Sequence, residues 1–346
     1  MTGSMRWTRG MVWVGLALIA MPLRADAGAP AFPGSDQTGG RPPSVQALVA
    51  GEAGKVFAGS FGLGVFRSDD GGKRWQATNE GLSDPFILAL AMEPGGTLYA
   101  GTIRGGIFRS QDDGKSWQAW NAGLKRKEIK ALLVSRGEVF AGTADGVYRL
   151  KGGNKEWGPV TKGLDDVLVH SLAVDRQDTL FAGTSGKGVF RFKAAGSEWV
   201  RLQHGLKDHE GLAENFIRVL AVDGEQAVYA GTFDGGVFRS GDGGETWRPI
   251  SRALPNDSIR GILPGEKDLI VATGRGVYRT TDKGRRWTPA NKGLTELSVQ
   301  ALARSKGGTL YVGTSAGVFR SDDDGDHWAG ASDGMEGVPV PPWVLQ

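Results

Sequence analysis

LYAGTIRGGIFRSQDDGKSW, residues 98–117, is two short apolar runs joined by a glycine turn and closed by a polar turn that ends on Trp117. Runs of this length, rich in aromatic and aliphatic side chains and bounded by Gly and Asp, read as paired β-strands. The phrase recurs along the chain. Its tryptophans stand at Trp75, Trp117, Trp157, Trp199, Trp247, Trp287 and Trp328, 40 to 42 residues apart except for one interval of 48. A period near 40 built only of strand and turn signals is the pattern of propeller blades.

Each repeat carries two further segments. A V-x-A-L-A phrase opens it, beginning at Val45, Ile87, Ile129, Val169, Ile217, Ile259 and Val299, and a run from the tryptophan to a Gly-Leu pair such as Gly81-Leu82 ends it. Four antiparallel strands in seven copies predict an all-β, seven-bladed β-propeller over residues 44–335. One blade cannot bury its own apolar faces, so neighbours must bury them for it. The composition agrees, with 40% hydrophobic residues and 56 glycines for tight turns.

The turn before each tryptophan has the form Ser/Thr-x-Asp-x-Gly-x-x-Trp. It is complete at Asp70 and Trp75, Asp112 and Trp117, Asp242 and Trp247, Asp282 and Trp287, and Asp323 and Trp328. Two copies have decayed, with Leu150, Gly152 and Asn154 before Trp157, and Phe192 and Ala194 before Trp199. Asp and Ser that satisfy a local turn contribute about 1 kcal/mol each. A buried indole covers roughly 150–250 Å², and its truncation costs about 3–5 kcal/mol. The weaker element is lost twice and the stronger never, so these turns read as structural. The arginine ending the third strand recurs seven times, from Arg67 to Arg320. A sevenfold residue does not mark one asymmetric site, and it reads as a cap that packs its stem and pairs with nearby acceptors.

On these turns, residues 45–335 resemble the Asp-box (BNR-type) repeat family. That resemblance spans sialidases, xyloglucan hydrolases and, more loosely, the photosystem II assembly factors, which are protein-binding platforms. For a sialidase it implies a tyrosine nucleophile, an arginine triad and an Arg-Ile-Pro motif. That motif is absent here, and all five tyrosines (Tyr99, Tyr148, Tyr229, Tyr278 and Tyr311) occupy regular repeat slots. Xyloglucan hydrolases set their carboxylates between two propellers, and this chain has one.

The first residues read as an export leader. Arg6 and Arg9 precede the apolar run from Met11 to Met21, and Ala25-Asp26-Ala27 supplies small residues for cleavage. Residues 1–27 are therefore expected to be a signal peptide, 28–43 a flexible linker and 336–346 a tail, in a periplasmic or extracellular protein with no transmembrane span after cleavage. Residues 1–27 hold three arginines and one aspartate, so their removal takes the net charge from +3 to +1. A nearly neutral chain argues against a nucleic-acid partner. There is no cysteine and the four histidines are scattered, which leaves no disulfide framework, metal motif or cofactor signature.

In an up-and-down blade the second-to-third-strand turns share a face with the links between blades, and the Asp-boxes lie opposite. The link face holds three departures from the repeat. Five links have four residues between the closing Leu and the next strand, whereas residues 207–216 make a link of ten that includes His209, Glu210, Glu214 and Phe216. The second position of the first strand runs Gln46, Leu88, Lys130, His170, Arg218, Arg260 and Gln300, so four consecutive blades offer a basic side chain near the channel mouth. Lys125, Arg126, Lys127, Arg104, Lys187 and Arg275 lie on turns and links of the same face. Phe61, Phe86, Phe216 and Phe233 are aromatics there, able to anchor a partner or to pack beneath the links. The carboxylates of the face (Asp84, Asp145, Asp165, Asp166, Glu210, Glu214 and Asp234) show no paired spacing of the kind a glycosidase needs. These features point to a non-catalytic propeller that recognises an envelope or extracellular protein, or an anionic or glycan ligand. A glycoside hydrolase is the alternative.

Overall fold

A computed structural model describes residues 40–164, 166–193, 197–202, 204–206, 216–256 and 258–336, without the side chain of Lys193. The expected leader, residues 28–39 of the linker and all but one residue of the tail fall outside these residues, as do Asp165 and residues 207–215 of the long link. The described residues form seven four-stranded antiparallel sheets. Blade 1 is β1 (Val45–Ala50), β2 (Val56–Ser60), β3 (Val65–Ser68) and β4 (Gln76–Ala77), and the six later blades repeat its order. Every blade takes its four strands from one continuous stretch, so no strand is lent across the ring closure.

The core lies between blades rather than within them. Phe57 and Val65 of blade 1 pack with Ile87, Leu98, Phe108 and Trp117 of blade 2, and the pattern recurs around the ring. The YAGT glycine makes this approach possible. A Cβ on Gly101 would sit 2.6 Å from Cγ2 of Ile129, the first residue of the next blade's inner strand. Any side chain there would push two blades apart.

Each tryptophan ties its own blade to the one before. Trp117 donates its main-chain N–H to the Glu80 carbonyl and its indole N–H to the Thr78 carbonyl, both at 2.8 Å. Ring closure uses the same bonds, from Trp75 to the carbonyls of Asp333 and Ala331 at 2.8 Å. Tyr311 adds a hydroxyl bond to the Gly71 carbonyl. Gly81 follows from this arrangement. Its φ is +77°, and a Cβ would collide with the Trp117 carbonyl oxygen.

The fourth strand is shorter than the sequence predicts, two residues in six blades. Blade 4 is the exception and runs the strand over Glu198–Leu202, with Trp199 paired to Phe192. In the complete boxes the polar atoms bond to one another. Ser110 donates to Asp112 at 2.8 Å, Gly114 N–H to Ser110, and Ser116 N–H to Asp112 at 3.0 Å. Hydrogen bonds led by Ser116 pull the Asp112 carboxyl down to about 2, and those led by Thr246 do the same for Asp242.

The strand-three arginines lie on the box face. Arg67 bonds to Asp69 and to the Asp113 carbonyl of the next blade's box, Arg191 to Gly243 and Glu245, and Arg279 pairs with Asp268 and Asp326.

Candidate functional site

The link face is assembled by bonds from second-to-third-strand turns to the links on either side of the blade. Gly62 and Gly64 donate to Pro85, Ile103 to Phe86, and Phe233 to Phe216. The opposite face joins the Asp-boxes to the first-to-second-strand turns, as in the Lys55–Asp113 ion pair at 2.6 Å.

Every inner strand begins with a β-bulge. Ile217 pairs with Thr232 and Val219 with Gly231, which leaves Arg218 without a cross-strand partner. The same shift sets Gln46, Leu88, Lys130, His170, Arg260 and Gln300 outside the ladder. An extra residue in one strand bends it and re-aims the bulged side chain. All seven are half-buried.

Four of these positions act on one another. His170 is held down at about 4, first by burial and then by the charges of Lys130 and Arg218, against the pull of Glu128. Burial and the neighbouring Arg260 lower Arg218, and burial lowers Arg260. Both arginines stay charged from so high a starting value. The result at neutral pH is an arc of Lys⁺, neutral His, Arg⁺ and Arg⁺.

The partners of the arc differ along it. Lys130 pairs with Glu128 at 2.7 Å. Arg260 donates to the Ser298 hydroxyl at 3.1 Å. Arg218 lies 5.9 Å over the Phe233 ring and, among the described residues, meets no carboxylate. Phe216 stacks on His170 with centroids 4.5 Å apart and touches Phe233 at 5.6 Å.

Lys130, His170, Arg218, Arg260, Phe216 and Phe233 are thus brought together. Phe86 belongs to a separate group at the junction of blades 1 and 2, where it meets Phe61 edge-on at 5.1 Å and Arg104 at 5.4 Å. Phe61 and Phe233 are each about half exposed, at 49% and 47%. His209, Glu210 and Glu214 lie outside the described residues. Two of the candidate carboxylates are spent on turns. Asp84 accepts from the N–H groups of Phe86, Arg104 and Gly105, and Asp145 from the hydroxyls of Thr143 and Tyr148.

The bulge escaped the sequence reading, because V-x-A-L-A looks the same whether or not its second residue is paired. The glycine opposite it is a faint signal, present in six blades and replaced by Ala272 in the sixth.

A seven-bladed β-propeller with a basic, aromatic-edged channel mouth is the class these features define. Residues 62–288 match the family model described as outer membrane protein assembly factor BamB, and the chain belongs to that family. The matching family model is that one and not an Asp-box model. No curated protein matches the sequence.

Among solved structures, the GH74 xyloglucanase from Xanthomonas campestris is similar, with a TM-score of 0.69 at 18% identity over 85% of this chain and 55% of that one. The extracellular domain of a two-component system from B. thetaiotaomicron has a TM-score of 0.67 at 17% identity, over 81% of this chain and 38% of that one. YCF48, solved bound to D1 peptide, has a TM-score of 0.63 at 13% identity, over 80% of this chain and 92% of that one. The chain spans about half of the xyloglucanase and less than half of the two-component-system domain. At these identities the likeness is one of fold. Among the described residues no helix is long and apolar enough to cross a membrane.

Proposed function

We propose that this chain is an exported, non-catalytic binding propeller of the Asp-box type, and that it holds an acidic segment of an envelope or extracellular protein across its channel mouth. The observation that carries the reading is Arg218. It is a half-buried cation set out of its strand by a bulge, next to Arg260, with only aromatic company among the described residues.

A partly desolvated guanidinium binds a carboxylate more strongly than an exposed one and receives it in bidentate geometry. Phe216 and Phe233 supply the apolar border that excludes water around such a pair. Neutral His170 can accept or donate beside it, and gains a proton when a negative charge arrives. YCF48 has this fold and was solved with a peptide bound, and the BamB-type family model is that of an assembly factor. Export rests on the sequence of residues 1–27 and on the extracellular origin of several structural neighbours.

The test is a titration of the chain with an oligoglutamate peptide and with oligoglutamine. Oligoglutamate should bind, oligoglutamine should not, and binding should weaken as salt screens the arc. Equal binding of the two peptides, or none of either, removes the reading.

A further inference from the structure

The loss of the Asp-box in blade 3 does more than weaken one turn. In three of the five places where the next box is intact, it reaches over the arginine that ends the preceding blade's third strand. The Asp113 carbonyl accepts from Arg67 at 3.1 Å, the Gly243 carbonyl from Arg191 at 2.9 Å, and the Asp326 carboxylate approaches Arg279 at 3.5 Å. Blade 3 presents Lys151-Gly152-Gly153-Asn154-Lys155 instead, with no carboxylate.

Arg109 of blade 2 faces that turn. Among the described residues it has neither a carboxylate nor a carbonyl partner. Its guanidinium lies 4.9 Å from the Trp120 ring and 5.9 Å from the Tyr99 ring, and its buried Nε is unpaired. The Trp120 indole N–H, also buried, has no acceptor either. The corresponding residue of the other blades is small or aliphatic, such as Thr78, Val160 or Ala331. The gap is a cavity of about 240 Å³ on the box face, bordered by Glu93, Tyr99, Arg109, Trp120, Lys151 and Lys155. Glu93, the one carboxylate there, already accepts from the Tyr99 hydroxyl at 3.1 Å.

From this we infer that the cavity between blades 2 and 3 is a second binding site, independent of the channel mouth, for a small carboxylate carried on a single polar ring, such as a uronate. Three cations stand against one occupied carboxylate, so the site asks for an anionic acceptor. The volume is below the roughly 300 Å³ at which drug-sized pockets begin, which limits the ligand to about one ring. Trp120 and Tyr99 offer flat carbon surface to that ring, and Asn154 and the free oxygen of Glu93 can meet its hydroxyls.

Calorimetric titration of the full chain with glucuronate, glucose and acetate tests this. Glucuronate should bind saturably and more tightly than glucose or acetate. Arg109→Gln should weaken it by about tenfold or more. Trp120→Phe keeps a ring but shrinks its flat carbon surface, and should weaken it by a smaller factor. Arg218→Ala should leave it unchanged, which separates this site from the channel mouth. Absence of glucuronate binding, equal binding of glucose or of acetate, or indifference to both Arg109→Gln and Trp120→Phe would each overturn the assignment. If Arg109→Gln does not fold, Lys151→Gln takes its place with the same readings.

Discussion

Two positions recur in every blade and behave in opposite ways. The tryptophan before the fourth strand is the same residue seven times, while the bulged second residue of the inner strand is Gln, Leu, Lys, His, Arg, Arg and Gln in turn. Both are placed by the same backbone geometry in every blade. The tryptophan is enclosed by two blades, with Trp117 only 2% exposed and its polar atom satisfied by a neighbour's carbonyl, so nothing else fits. The bulged residue faces the channel mouth, where the ladder makes no demand on it. Architecture fixes the identity of the first and leaves the second free, and the freedom is used unevenly, with Lys, His, Arg and Arg on four consecutive blades.

The most direct way to break that contrast is to truncate one of each. Trp117→Ala should lower unfolding stability by about 3–5 kcal/mol, since it empties the seam between blades 1 and 2 and strands the Thr78 carbonyl, while the main-chain bond to Glu80 remains. Leu88→Ala, at a bulge in the same blade, should cost well under half of that. Denaturant melts of the two variants check it, and similar losses would mean that the bulge positions also hold the ring.

The functional side of the contrast is sharpened by the double variant Arg218→Ala/Arg260→Ala. Its stability should stay near that of the parent, because neither arginine forms an ion pair among the described residues. Its affinity for oligoglutamate should fall by about tenfold or more, and the remaining affinity should depend less steeply on salt. Loss of fold without a prior loss of binding would move these arginines to the structural side.

His170 gives the comparison a pH axis. Its folded value, about 4, lies below the ordinary 6.5 because burial and the flanking Lys130 and Arg218 oppose its charge. Between these values the unfolded chain binds the extra proton, so stability should rise with pH from about 4 to 6.5 and be lost as pH falls through that window. The effect has a ceiling of about 3 kcal/mol and should be smaller where solvent reaches the ring. His170→Gln should flatten the melting curve over that window. Bound oligoglutamate should also flatten it, since a carboxylate in the arc favours the imidazolium. An unchanged pH profile in His170→Gln would show that the ring titrates as it does in water.

Much of the fold was legible because each repeat states the same thing seven times. Blade number, strand order and the face opposite the boxes all follow from the spacing of the tryptophans and of the glycine turns. The basic arc was legible as residue types, and Lys130, His170, Arg218 and Arg260 do meet. What could not be read was the bulge that turns them, since one unpaired residue leaves no trace in a five-residue alternation. Phe86 could not be separated from Phe216 and Phe233, because the distance around the ring between blades 2 and 5 is a property of closure. The decay before Trp157 was visible at Leu150 and Asn154, yet its consequence falls on Arg109, about forty residues earlier, through a contact between blades.

The smallest expected effect tests the box itself. Asp112→Ala removes the acceptor of the Ser116 N–H and hydroxyl and the partner of Ser110. The Ser116 bonds are exposed, so water replaces most of what is lost there, and the buried Ser110 hydroxyl still accepts from the Gly114 N–H, so the cost should be about 1 kcal/mol. Blades 3 and 4 have already undergone such a change and still close the ring, through indole bonds from Trp157 to the Trp120 carbonyl and from Trp199 to the Val160 carbonyl. The effect of Asp112→Ala should therefore appear as a small shift in the melt and leave the seam to Trp117 intact. Hydrogen exchange at the Trp117 amide, which bonds to Glu80, is the measurement that decides. If protection there falls to that of the exposed box amides, the carboxylate positions the tryptophan, and the ranking of the two would have to be reversed.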